Sequence, residues 1–502
     1  MASEAEPEPC RPDDELCRRP AVELLAAMLA REVSAREVLS AHLAQVERWN
    51  PTVNAIVTLT EEAARERARA ADEALARPGG QALGPLHGLP VAHKDLFETK
   101  GVRTTYGSPL FADHVPTVDA AVVERLAGAG AVAMGKTNTP EFGAGSQTFN
   151  AVFGVTRNPY DPAKTPGGSS GGAAAALATG MVAIADGSDM GGSLRNPASF
   201  CNVVGMRPSA GLVSVWPAAA GWVTLSVNGP MARTVADVAL LLSVLAGHDP
   251  RVPHSLPGDG SAFAAPLDSD ISGLRVAWSR DLGGLPVDHQ VTTVLESKGR
   301  TGLEALGCMV EEAEPELAGA DEAFRTWRAW FQALTFGDLL RAHPDQFKSD
   351  LAWNIGCGWA LSGDDLARAE RLRTEVYGRV QGLLTRYDVL ALPVSQVPPF
   401  DVDLPWVTDI EGVPQESYLD WMRSAYLISV TGLPAISVPC GFTDDGLPVG
   451  IQLVGQPAGD RRLLEAAFAF EQATMTWRRP PPEPVPIGPG RPSGPGSARM
   501  GA

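Results

Sequence analysis

The sequence predicts an α/β fold: one large domain in which helices cover a mixed, largely parallel central sheet. Three observations carry this. Short apolar runs such as "GLPVAHKDL", "AVAMGK", "MVAIAD", "LRVAWS", "VLALPV", "AISVPC" and "GIQLVG" read as buried strands. Segments with helical apolar spacing lie between many of them. No linker and no internal repeat interrupts residues 20–478. The chain has 502 residues, 44% hydrophobic and 20% charged, which is enough to bury one large core.

The elements follow in order. Residues 1–18 are rich in proline and acid and read as a disordered tail. "PAVELLAAMLAREV" has helical spacing. "SAREVLSAHLAQVERW" opens with Ser34 and Glu37 in capping-box register, the sign of a helix start. "EEAARERARAADEALA" is a third helix. "MVAIAD" predicts a strand over 181–185 that runs into a glycine-rich turn. Helical patterns cover 235–246, 364–386 and 460–475. "AISVPCGFTDDGLPVGIQLVG" reads as two antiparallel strands joined at "TDDG". Residues 479–502, rich in proline and glycine, read as a second disordered tail, which leaves 19–478 as the domain.

Composition excludes several function classes. The formal net charge of -18 disfavours nucleic acid and anionic membrane as partners. The most apolar stretches, 171–185 and 235–247, are shorter than the ~20 residues that span a bilayer. The N-terminal stretch is acidic and polar where a secretory leader needs an apolar run, so a cytoplasmic location is expected. The six cysteines are scattered, with no CxxC pair and no Cys/His cluster at zinc spacing. Neither a metal nor a cofactor is expected.

Two Gly/Ser clusters carry chemistry. In "DGSDMGGSLRNP" (186–197), Gly191 and Gly192 precede Ser193. Glycines there permit a backbone turn whose N–H groups converge on an anion beside a nucleophile. A plain tight turn explains the same residues equally well. Upstream, "GGSSG" (167–171) matches the nucleophile elbow G-x-S-x-G, but the proline-broken "RNPYDPAKTP" stands where the elbow needs a strand. The eight histidines sit in no telling context for a Ser-His-Asp triad. A different base is available in Lys94, one of only six lysines, within the apolar "GLPVAHKDLF". Burial lowers a lysine pKa, and a neutral lysine can take a proton from serine. A lysine at a strand end, or one paired with Asp95, is the plainer explanation for that residue alone.

Together these stretches resemble the amidase signature family. The matching blocks, in order, are "GLPVAHKDLFETKG", "GKTNTPEFGAGSQTFNAVFGVTRNPYD", "TPGGSSGGAAAALATG", "ADGSDMGGSLRNPASFCNVVGMRPSAGLVS", "GPMARTVADVALLL" and "TGLPAISVPCGFTDDGLPVGIQLVG". The resemblance implies a Ser–cisSer–Lys triad: Ser193 as nucleophile, Ser169 as the bridging serine after a cis peptide bond, and Lys94 as base. It implies an oxyanion hole from the backbone N–H groups of Met190, Gly191, Gly192 and Ser193. The family usually has Thr or Ile where this chain has Met190. Ser170 is expected to support by hydrogen bonding, and Asp189 and Arg195 to form a structural ion pair.

The activity implied is hydrolysis of a carboxamide C–N bond to a carboxylate and ammonia or an amine, through an acyl-enzyme. Aromatic residues in the variable parts, among them Tyr106, Phe142, Trp216, Tyr418 and Trp421, suggest a pocket for apolar or aryl amides, with carbamates and esters chemically close. The alternatives are the glutamine-hydrolysing subunit of a tRNA-dependent amidotransferase and a non-catalytic scaffold. Two segments depart from that subunit's usual pattern: "TNTPEFGAGSQ" stands for "TNMDEFAMGSS", and "RPSAGLVSVWPA" for "KPTYGRVSRYGL". The expected partner is a small-molecule amide, and the fold is compatible with a homodimer.

Overall fold

The computed structural model describes residues 12–77 and 83–484. Among these, eleven strands form one mixed sheet. They are β1 (Ile56–Leu59), β2 (Pro90–Lys94), β3 (Val132–Thr137), β4 (Ile184–Asp189), β5 (Val204–Arg207), β6 (Val227–Ala232), β7 (Arg275–Trp278), β8 (Met309–Glu312), β9 (Val389–Pro393), β10 (Ala435–Phe442) and β11 (Pro448–Val454). Their spatial order is β1-β3-β2-β4-β6-β5-β10-β11-β9-β7-β8. Parallel pairing joins β3, β2 and β4 in one wing and β9, β7 and β8 in the other. The strands between are antiparallel, including the expected β10–β11 pair. The apolar runs become strands because both sheet faces are covered: β2, β5, β6, β9 and β11 are buried at every position.

The helices pack as the sequence suggests. Ser34 and Glu37 form the expected capping box at the start of Ala35–Val53, with bonds of 3.1 and 2.8 Å. The helices Val235–Leu245, Gly363–Leu384 and Asp460–Thr474 fall within the predicted limits or one residue beyond. No helix of the described residues is long and apolar enough to cross a membrane.

Three expectations need correction. Residues 12–18 form a helix, not a tail, because Leu16 and Cys17 pack into the protein's interior; residues 1–11 lie outside the described part. At the other end, 479–484 carry no helix or strand, but Tyr160 Oη donates to the Arg479 carbonyl at 2.7 Å and Pro481 is buried. Residues 485–502 again lie outside the description. Finally, the strand expected at 181–185 runs from Ile184 to Asp189. It recruits the polar "DGSD" because β6 pairs with it residue for residue, from Ile184↔Ala232 to Asp189↔Val227.

The sheet opens where the two serine clusters meet. The β2–β4 ladder covers only Val91↔Ile184 and Ala92↔Ala185. Beyond it, Lys94 ends β2 and Ser188 lies near the end of β4. A crevice at the carboxyl ends of such strands is where α/β sheets bind ligands. Close backbone packing holds the crevice wall: a Cβ on Gly205 of β5 would lie 2.2 Å from the Leu194 carbonyl oxygen. Gly205→Ala is therefore expected to lower stability by about 1–3 kcal/mol. Urea unfolding checks this; an unchanged midpoint would show that the loop bearing Leu194 yields freely.

Candidate active site

Lys94 is the chemical centre of the crevice. As the last residue of β2 it is fully buried. Its Nζ lies 2.8 Å from Ser169 Oγ, 2.9 Å from Ser170 Oγ and 3.1 Å from Ser188 Oγ. The nearby acids are committed elsewhere. Asp95 accepts from the Thr105 hydroxyl at 2.6 Å, and Asp186 from His93 and from the Lys94 backbone N–H. Burial pulls the Lys94 ammonium down to about 7, against the opposing fields of Asp189 and Asp186. Near neutral pH a large fraction is the free amine, able to accept a proton from a hydroxyl.

The "GGSS" loop holds two of those hydroxyls. The Gly168–Ser169 peptide bond is cis, as the resemblance implies. Ser146 Oγ donates to the Gly168 carbonyl and Thr148 Oγ1 to the Gly167 carbonyl, both at 2.8 Å. Directly after the loop, the helix Gly171–Ala178 is buried from Gly171 to Leu177, which anchors the serines from behind. The Ser170 N–H donates to the Ser193 carbonyl at 3.3 Å and joins the two serine loops. Ser193 is half-buried and faces the same cavity as Ser169 and Ser188. No direct hydrogen bond links its hydroxyl to that of Ser169.

Beneath Ser193 lies a buried charge cluster. Asp189 pairs with Arg195 at 3.0 Å and with Arg207 at 3.3 Å, and all three side chains are fully buried. Burial alone would raise the Asp189 carboxyl, but the Arg195 and Arg207 guanidiniums hold it well below the usual carboxylate range. The expected Asp189–Arg195 pair is present, and Arg207 is a member that sequence reasoning missed. Asp189 also accepts from the N–H groups of Gly192 at 2.8 Å and Leu194 at 3.2 Å. This corrects one expectation. The Gly192 N–H, expected in the oxyanion hole, is already spent on Asp189. The N–H groups of Met190, Gly191 and Ser193 donate to no protein acceptor among the described residues.

The serines open into an inner cavity of about 140 Å³. Phe324, Phe331, Phe336 and Met422 wall it, with Arg328, Gln332 and Thr335 as its polar side. An outer cavity of about 430 Å³ shares Leu96, Phe142, Phe331 and Phe336 with it and adds Tyr106, Phe111 and the 217–220 loop. Of the five aromatic residues expected at the pocket, Phe142 lines both cavities and Tyr106 the outer one. The other three line neither. Trp216 lies under the Arg251 guanidinium at 3.9 Å. Trp421 is buried against Phe200 and Phe400, and Tyr418 is buried behind Arg328. Large aromatics fill cores more readily than they line cavities. The pocket wall comes instead from the helix Ala320–Ala342, through residues 324, 328, 331, 332, 335 and 336. Their spacing marks one helical face, a signal present in "FRTWRAWFQALTF" but not tied to any motif.

Known proteins share this fold. The amidase family model matches residues 37–464. The chain is 38% identical over 483 residues to a glutamyl-tRNA(Gln) amidotransferase subunit from Moorella thermoacetica, covering 91% of this chain and 97% of that one. Among solved structures, a bacterial aryl acylamidase of the amidase signature family superposes with a TM-score of 0.85 at 29% identity, covering 91% and 96% of the two chains. The corresponding amidotransferase subunit from Thermotoga maritima superposes with a TM-score of 0.72 at 29% identity, covering 91% and 95%.

The charge cluster yields a stability test. Asp189→Asn leaves two buried guanidiniums without their carboxylate, a loss of about 3–5 kcal/mol. Thermal or denaturant unfolding of the purified variant reads it. A loss below about 1 kcal/mol would mean that the arginines find other acceptors.

Proposed function

The chain belongs to the amidase signature family, and on that premise we propose that it hydrolyses carboxamides through an acyl-enzyme on Ser193. The 2.8 Å contact between the buried Lys94 amine and Ser169 carries this reading. Neutral Lys94 takes a proton from Ser169 as Ser169 takes one from Ser193. Ser193 Oγ attacks the amide carbon, and the N–H groups of Met190, Gly191 and Ser193 receive the oxyanion. Collapse breaks the C–N bond, and the leaving amine takes its proton back through Ser169. Water then attacks the acyl carbon and frees the carboxylate. Lys94, Ser169 and Ser193 meeting at one crevice argues against a non-catalytic scaffold.

Two readings of the amide remain, each with its own support. The curated relatives support glutamine, with a partner protein receiving the ammonia; this reading has the stronger comparative backing. The cavity supports an apolar or aryl amide. Its walls are largely aromatic, and no acidic side chain among the described residues lines the inner cavity to pair with an α-ammonium group.

Two experiments test these readings. A serine-directed fluorophosphonate should label Ser193 with a rate that rises through pH 7 and levels above about 8. Below pH 6 it should fall about tenfold per unit, because protonated Lys94 accepts nothing. A flat profile, or unchanged labelling in Lys94→Ala, would identify another base. For the substrate, ammonia release by the isolated chain should be measured with phenylacetamide, benzamide and glutamine. Turnover of the aryl amides is the result expected from the cavity. Release from glutamine alone, or from glutamine only with added partner proteins, would assign the chain to the amidotransferase reading.

A further inference from the structure

Arg328 lines the same inner cavity as Ser193, yet it is only 4% exposed. Its Nη1 donates to two neutral oxygens, Gln332 Oε1 at 3.3 Å and Asn354 Oδ1. Its guanidinium carbon lies 5.2 Å from the centre of the Tyr418 ring. Among the described residues no carboxylate lies within ion-pair distance of it. The contrast with Arg195 and Arg207 is plain, since those two share Asp189. Asp350 is taken by the neighbouring Lys348 at 3.2 Å. A second wall residue, Thr335, has a buried hydroxyl with no partner.

A buried guanidinium without an anion is costly in a folded protein. Placed at the cavity wall, its planar fork matches a carboxylate from a ligand. We propose that Arg328 binds an anionic oxygen group of the substrate, so that the amide this chain prefers carries a carboxylate beyond the scissile bond. This rests on the amide-hydrolase reading and applies to glutamine and to aryl amides alike. The carboxylate reaches Arg328 and the Thr335 hydroxyl, while Phe331 and Phe336 hold the body of the molecule.

Matched amides test this on the full chain: 4-carbamoylbenzoate against benzamide, and 5-amino-5-oxopentanoate against pentanamide. Each variant is first shown to be labelled at Ser193 by the neutral fluorophosphonate, which reports a folded site. The wild type should favour the carboxylated member in kcat/KM by about ten- to hundredfold. That ratio should fall towards one in Arg328→Met and be partly kept in Arg328→Lys. A wild type that favours the neutral member of both pairs, or an Arg328→Met that keeps the preference, overturns the proposal. If Arg328→Met is not labelled, the ratio in Arg328→Lys decides, and an unchanged ratio there counts against the proposal. If the labelled wild type cleaves none of the four amides, the hydrolase reading fails instead. Terephthalate and glutarate then remain as probes: they should slow labelling of the wild type and not of the Arg328 variants, and equal slowing in both overturns the assignment.

Discussion

The Asp189 carboxylate, held between Arg195 and Arg207, is the constraint on which the active-site loop depends. It accepts the N–H groups of Gly192 and Leu194, one on each side of Ser193. Arg195 reaches on to Gln452 of β11, the Ser429 hydroxyl and the Ala425 carbonyl. Arg207 reaches the Asp189, Leu225 and Ser429 carbonyls. One carboxylate thereby ties the loop bearing Ser193 to β5, β11 and the helix Arg423–Thr431. The three charges sum to a net positive centre beneath the loop, in a region closed to water. Negative charge that develops beside Ser193 is favoured by that field as well as by the free backbone N–H groups.

The proposed catalytic residues and the cavity walls sit on different parts of the chain. Lys94, Ser169 and Ser193 belong to the central sheet and the loops at its edge, supported by the largest core. The cavity walls come from Ala320–Ala342 and from Met422, part of a second core, with Phe142 and Phe336 against a small third one. On the proposed mechanism, changes in those walls alter which molecule fits without touching Lys94, Ser169 or Ser193.

The same division governs what could be read from the sequence. The buried strands are legible because burial leaves a local signature; Lys94, Ser169 and Ser193 are singled out by the ordered blocks of the family resemblance, since on local residues alone a plain turn and a paired lysine fit as well. The Ile184–Asp189 strand was placed three residues early, since "DGSD" has no strand preference and is drawn in by its partner β6. The direction of the Gly192 N–H depends on the Asp189 side chain, which local sequence does not report. Arg328 lies in no motif and is picked out only by the cavity it lines. Trp216, Tyr418 and Trp421 were drawn to the pocket by their size, the property that places Trp421 in the core.

The strand order has a consequence for how the chain is made. β10 and β11 are the last strands in sequence, yet they lie at the middle of the sheet, between β5 and β9. Until residues 435–454 have been synthesised, the first half ends in an open edge at β5 and the later strands in another at β9. Two unpaired apolar edges then coexist on one nascent chain, the condition under which strands pair with the wrong neighbour or with another molecule. The Ser193 loop also waits on that late hairpin, because Gln452 is one of the acceptors that hold Arg195. The final strands that close the sheet therefore also complete the setting of Ser193, so a ribosome-bound fragment ending before them carries Lys94, Ser169 and Ser193 without the frame that aligns them.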